Sequence, residues 1–144
     1  MFIRQNTFII IRALILSRAF SVISGCDYVL HIASPFPIAA SASCVDVAVT
    51  GTLNVLRAAS TEPSVKKVVL TSSCAAVNEG HPQDRAFDET SWTDVTSPSV
   101  DYYAKSKTLA EKAAWEFVDG IKNGNKYVFA VLKETQCYWT CRSC

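Results

Sequence analysis

Hydrophobic and polar positions along this chain alternate between two periods. The stretch Tyr28-Val29-Leu30-His31-Ile32-Ala33-Ser34 is short and apolar, and Ser34-Pro35-Phe36-Pro37 stops it, which predicts a strand. Over 44–60, Val45, Val49, Leu53, Leu56 and Ala59 fall near helical spacing, and Pro63 then punctuates. A second strand is predicted over 66–73, Lys-Lys-Val-Val-Leu-Thr-Ser-Ser, buried at its centre. Residues 78–101 are polar, carry Gly80, Pro82 and Pro98, and predict a long loop. In 102–122, Leu109, Ala113, Phe117 and Ile121 form one apolar stripe, with Gly120 and Gly124 marking the end of a helix. Residues 126–132 predict a third strand. Residues 1–24 are ambiguous: Phe8-Ile9-Ile10-Ile11 prefers strand, and Ala13 to Phe20 suits a helix.

Strand, helix, strand, loop, helix, strand is the alternation of an α/β protein with a parallel sheet and crossover helices. Strands 28–34, 66–72 and 126–132 are expected side by side, with helices 44–60 and 103–122 crossing between them. The strand at 28–34 is expected at an exposed edge unless residues 7–16 pair with it.

Composition adds bounds. In 144 residues, 49% hydrophobic and 19% charged, there is enough apolar material for one core. The net charge is +1 with dispersed Lys and Arg, so nothing points to nucleic acid. The longest apolar run, Phe8 to Phe20, is cut by Arg12 and Arg18, so no membrane span is expected. Three arginines before the first acidic residue suit a mitochondrial presequence better than a secretory signal. A cytoplasmic location is the main expectation, with the mitochondrion as the alternative. Cys26, Cys44 and Cys74 read as reduced, buried or half-buried residues. Cys137, Cys141 and Cys144 lack a fourth ligand of suitable spacing, so no metal is expected.

The chemistry centres on Tyr103 and Lys107. Four residues apart on a helix, they share a face, and an ammonium beside a phenol favours the phenolate. On its own such a pair more often describes a surface aromatic beside a solvated lysine. Ser73 changes the weight. It ends a buried strand, and ligands of parallel sheets bind beyond the carboxyl ends of the strands. A serine there and a tyrosine on the facing helix can address the same substrate oxygen, although serine also serves as a strand-end turn residue.

At this point the chain resembles the extended short-chain dehydrogenases/reductases. Within them it is closest to the dihydroflavonol 4-reductase-like group of the NAD-dependent epimerase/dehydratase superfamily. Gly25-Cys26-Asp27-Tyr28-Val29-Leu30-His31-Ile32-Ala33-Ser34-Pro35-Phe36 is similar to that group's fourth-strand motif, and Gly51-Thr52-Leu53-Asn54-Val55-Leu56 to the helix that follows. Val68-Val69-Leu70-Thr71-Ser72-Ser73 resembles the strand carrying the catalytic serine. Asp88-Glu89-Thr90-Ser91-Trp92 resembles its acidic-tryptophan loop. Tyr103-Ala104-Lys105-Ser106-Lys107-Thr108-Leu109-Ala110-Glu111-Lys112 resembles its active-site helix. The likeness runs from about Gly25 to Val131, roughly three quarters of the chain.

The resemblance implies a partial Rossmann-like domain and reduction of a ketone or aldehyde, a small-molecule carbonyl substrate, with NADP or NAD as cofactor. It implies Ser73 holding the carbonyl, Tyr103 as general acid, and Lys107 favouring the tyrosinate and bonding the nicotinamide ribose. Ala33, Ser34 and Thr71, with Tyr103 and Lys107, would line the cofactor.

Departures from the pattern shape the expectation. The five glycines, 25, 51, 80, 120 and 124, do not make a Gly-x-x-Gly-x-x-Gly turn, so the first βαβ unit with its pyrophosphate cradle is expected to be missing. The chain then divides into an atypical segment 1–24, a partial catalytic domain 25–132 and an unrelated Cys-rich tail 133–144. Both ends read as truncation, alternative splicing or a faulty gene model. Self-association through open sheet edges is expected. Two other readings stand beside the reductase. A nucleotide-sugar epimerase/dehydratase would carry other residues where Cys74-Ala75-Ala76-Val77-Asn78 follows the serine. A non-enzymatic product without cofactor binding is the second. Cinnamoyl-CoA reductase is disfavoured because its Asn-Trp-Tyr-Cys-Tyr signature is not seen around Tyr102-Tyr103.

Overall fold

A computed structural model of the chain describes residues 8–11, 16–34, 41–82, 86–121, 127–134 and 138–141. The elements run β1 (Phe8–Ile11), α1 (Leu16–Ile23), β2 (Tyr28–His31), α2 (Ala42–Thr61), β3 (Lys67–Ser73), α3 (Tyr102–Asp119), β4 (Val128–Glu134) and β5 (Tyr138–Cys141), with a 3-10 turn at Cys74–Ala76. The five strands lie in sequence order in one sheet. β1 to β4 are parallel, and β5 returns antiparallel on β4. The expected adjacency of the three central strands is therefore met. β2 is not an edge, because Phe8 to Ile11 pair with Tyr28 to His31.

Because the strand order advances in one direction and such crossovers are right-handed, α1, α2 and α3 line up on one face. Against them the inner sheet face places Val29, Val68, Leu70, Phe129 and Val131. The helices answer with Ala19, Ile23, Val55, Leu56, Ala58, Ala59 and Ala114. Small alanines let α2 and α3 approach the sheet closely, and Trp115 meets Phe129 edge-on at 4.8 Å between ring centroids. Burial alternates along β2 and β3, so Tyr28, Leu30, Val69 and Thr71 on the other face are only half-buried. The alternation follows from helices covering a single face.

The element ends have local causes. Asp101 caps α3, its Oδ1 accepting the Ala104 N–H at 2.8 Å. At the far end Gly120 donates to the Glu116 carbonyl at 3.0 Å in ordinary right-handed geometry; Gly124 lies outside the described residues. The long polar stretch after β3 is held by backbone bonds. Thr93 N–H donates to Ala76 O at 3.0 Å and Asp94 N–H to Glu79 O at 3.0 Å. Gly80 turns there with φ +78°. Of the proposed tail, Lys133, Glu134 and Tyr138–Cys141 are described, whereas Cys137 and Cys144 lie outside. Pro35 and Phe36 also lie outside.

Candidate active site

The carboxyl end of β3 and the 3-10 turn after it face the first turns of α3. Ala33 and Ser34 follow β2 after the exposed Ile32 and are half-exposed. Thr71 and Ser73 belong to the last residues of β3. Ser73 Oγ accepts the Ala75 N–H at 3.3 Å, so the serine caps the 3-10 turn and its hydroxyl hydrogen stays available to a further acceptor. Ala75, in that turn, packs with Val100 and Ala104, and the Tyr103 side chain packs against the same cluster. Tyr103 and Ser73 are thus joined through Ala75.

Lys107 sits one turn after Tyr103 and is buried. Its ammonium donates to the Thr71 carbonyl at 3.4 Å and lies 5.9 Å from the centre of the Tyr103 ring. Thr71, Tyr103 and Lys107 are therefore brought together directly, Ser73 through its turn, and Ala33 and Ser34 stand at the end of the neighbouring strand.

Two features escaped the reading of the sequence. His31, the last residue of β2, is 1% exposed and its Nε2 meets Thr52 Oγ1 of α2 at 3.4 Å. Burial, reinforced by the Lys107 charge, holds its pKa down at about 4. The imidazole is neutral at physiological pH and adds no second cation beside Lys107. Glu111, one turn beyond Lys107, is a buried carboxylate. It accepts from Ser72 Oγ at 2.6 Å and Trp115 Nε1 at 3.3 Å, and it pairs with Lys133 at 3.2 Å. Continuation of the Tyr103 and Lys107 spacing to Glu111 was the signal for it. A charged residue on the buried face of a helix calls for a partner.

The donor set suits one end of a dinucleotide better than the other. A buried ammonium at the carboxyl end of the sheet fits a ribose hydroxyl pair. No comparable cradle exists for a pyrophosphate among the described residues. Gly25 precedes β2 at the opposite end of the sheet, Gly51 is inside α2, and Gly80 lies in the loop after the 3-10 turn.

The fold is a partial Rossmann-like α/β sheet with crossover helices. The chain matches the 3-beta hydroxysteroid dehydrogenase/isomerase family over residues 14–140, and it belongs to that family. The match extends past both ends of 25–132, taking in α1 and most of β5. Among curated relatives, cinnamoyl-CoA reductase CAD2 of Medicago truncatula is 49% identical over 106 residues, covering 68% of this chain and 32% of that protein. An anthocyanidin reductase of Vitis vinifera is 43% identical over 107 residues, covering 67% and 32%. The chain thus spans about a third of the length of these relatives. Among solved structures, the yeast methylglyoxal/isovaleraldehyde reductase Gre2 complexed with NADPH superposes with a TM-score of 0.68 at 30% identity. It covers 82% of this chain and 38% of that one.

The kinship with dihydroflavonol 4-reductase-like enzymes is thereby established, and the family is one of NAD(P)-dependent oxidoreductases. The low standing given to cinnamoyl-CoA reductase on the missing signature is offset by the 49% identity of CAD2. No helix among the described residues is long and apolar enough to cross a membrane.

Proposed function

We propose that this chain carries the carbonyl-orienting and proton-delivering part of an NAD(P)H-dependent reductase acting on a ketone or aldehyde. The observation that carries the reading is the stacking of Tyr103 and Lys107 on one face of α3, with the Lys107 ammonium anchored at the carboxyl end of β3 by the Thr71 carbonyl. A bound NAD(P)H supplies the hydride. Ser73 donates a hydrogen bond to the substrate oxygen and fixes its direction. Tyr103 delivers its hydroxyl proton to that oxygen as negative charge develops there. Lys107 holds a positive charge beside the phenol throughout and bonds the ribose hydroxyls. Ala33, Ser34 and Thr71 line the approach. All of these residues fall within the proposed partial catalytic domain 25–132, flanked by the segment 1–24 and the Cys-rich tail 133–144.

Cofactor grip depends on both ends of the dinucleotide, and among the described residues one end is provided for. Binding of NADPH and NADH is therefore expected to be saturable yet weaker than low micromolar, with turnover correspondingly slight. Isothermal titration of the chain with each nucleotide tests this, with Lys107→Met as control. Weak binding diminished by the substitution is the expected result. Absence of saturable binding at millimolar nucleotide, or binding indifferent to Lys107, overturns the proposal.

A further inference from the structure

Tyr103, Lys107 and Glu111 follow one another at single-turn intervals along α3, and the last two grip successive residues of β3. The Lys107 ammonium bonds the Thr71 carbonyl, and the Glu111 carboxylate takes the Ser72 hydroxyl at 2.6 Å. Ser73 is the next residue. The carboxylate also reaches the neighbouring strand. Ser72 and Lys133 are register partners across β3 and β4, and Lys133 pairs with the same Glu111 at 3.2 Å. One carboxylate, 1% exposed, therefore ties the helix to two strand ends. The acidic-tryptophan loop covers this knot. The Trp92 ring meets the ammonium groups of Lys133 at 5.3 Å and of Lys112 at 5.1 Å from its centre.

A buried ion pair of this kind is weak evidence for stability, because desolvation offsets much of the attraction. Its geometry is informative in another way. Bonds to a charged group are short and directional, and these fix the axial position of α3 against β3. That position sets where Tyr103 stands relative to Ser73.

We infer that Glu111 is a positioning residue. Its carboxylate, held by Ser72 and Lys133 under Trp92, locks the Tyr103–Lys107 helix in register with the Ser73 strand end. The inference rests on the reductase reading for its functional meaning, while the clamp can be measured without cofactor.

The experiment uses the full chain and its assigned amide spectrum. Lys133→Met serves as background, so that no cation is left without its counter-charge. In that background, Glu111→Ala is expected to move the resonances of Ser73, Tyr103 and Lys107. It is also expected to speed amide exchange at Ser73 about tenfold, the loss of one charge-assisted hydrogen bond. Glu111→Gln, which keeps an acceptor for Ser72, is expected to restore both. Ile23→Val, a trimmed core residue in α1, is expected to lower the melting temperature without moving those resonances. Should the alanine variant fail to fold, Ser72→Ala removes the same bond from the strand side and is expected to give the same pattern at smaller amplitude. The inference is overturned if Ser73, Tyr103 and Lys107 respond to loss of the Glu111 contact no more than to Ile23→Val. It is equally overturned if glutamine fails to restore what alanine removes. NADPH reports separately. If it perturbs neither Tyr103 nor Lys107 in the unsubstituted chain, the reductase reading fails and the clamp stands or falls on the variant spectra alone.

Discussion

Acidification should weaken this fold through one imidazole. His31 is buried at the end of β2, and its pKa drops from the ordinary 6.5 to about 4, chiefly because burial disfavours the cation and secondly because Lys107 repels it. The unfolded chain then binds a proton that the folded chain refuses. This contribution to stability is fully present above pH ~6.5 and is lost as pH falls toward ~4. The full shift is worth ~3 kcal/mol, at ~1.4 kcal/mol per tenfold change in proton affinity. Between about pH 7 and about pH 5 the loss is about 2 kcal/mol, against a typical domain stability of about 5–15 kcal/mol. Urea unfolding of the chain and of His31→Gln across that range measures it. Other titrating groups also act there. Burial and the neighbouring Asp101 raise Glu79, which works in the opposite direction. Hydrogen bonds from Thr90 and Thr96 lower Asp88 and Asp94, whose titration therefore falls below this pH range. All three are common to both proteins and cancel in the difference. Substituted and unsubstituted chains with equal pH slopes would refute the reasoning.

Three further outcomes are expected. Gly80→Ala places a Cβ 2.9 Å from the Asp94 carbonyl oxygen and from Val100 Cγ2 at a positive φ, so it should destabilise by about 1–3 kcal/mol in denaturant unfolding. Asp101→Ala removes the cap on α3 and should cost about 1 kcal/mol, with faster amide exchange confined to the first turn around Ala104. Tyr103→Phe should leave the melting temperature nearly unchanged, because the ring keeps its packing on Ala75, Val100 and Ala104, while abolishing whatever carbonyl reduction the chain supports.

The order and direction of the central strands were legible because periodicity changes sharply between 28–34, 44–60 and 66–73, and parallel neighbours need helical crossovers. The strand at Phe8–Ile11 was legible only as a propensity; its parallel pairing with β2 is a tertiary fact. β5 was missed because Tyr138-Trp139-Thr140 is too short to signal a strand, and its antiparallel return depends on the reach of the chain after β4. At the site, Tyr103 and Lys107 announced themselves by helical spacing and Ser73 by its place at a strand end. His31 read as one polar letter in an apolar strand, and Glu111 as one charge on a helix. Their partners, Thr52 in one case and Ser72 with Lys133 in the other, are distant in sequence, so only folding reveals why those polar groups are buried.

The proposed site joins Ser73, Tyr103 and Lys107 at the carboxyl end of the sheet, where it would receive the nicotinamide end of NAD(P)H. Titration of the isotopically labelled chain with NADPH, followed residue by residue in its amide spectrum, tests it most directly. Saturable changes are expected at Ala33, Ser34, Thr71, Ser73, Tyr103 and Lys107, weak in affinity and attenuated by Lys107→Met. Changes confined to other surfaces, or none at all at saturating nucleotide, would contradict it.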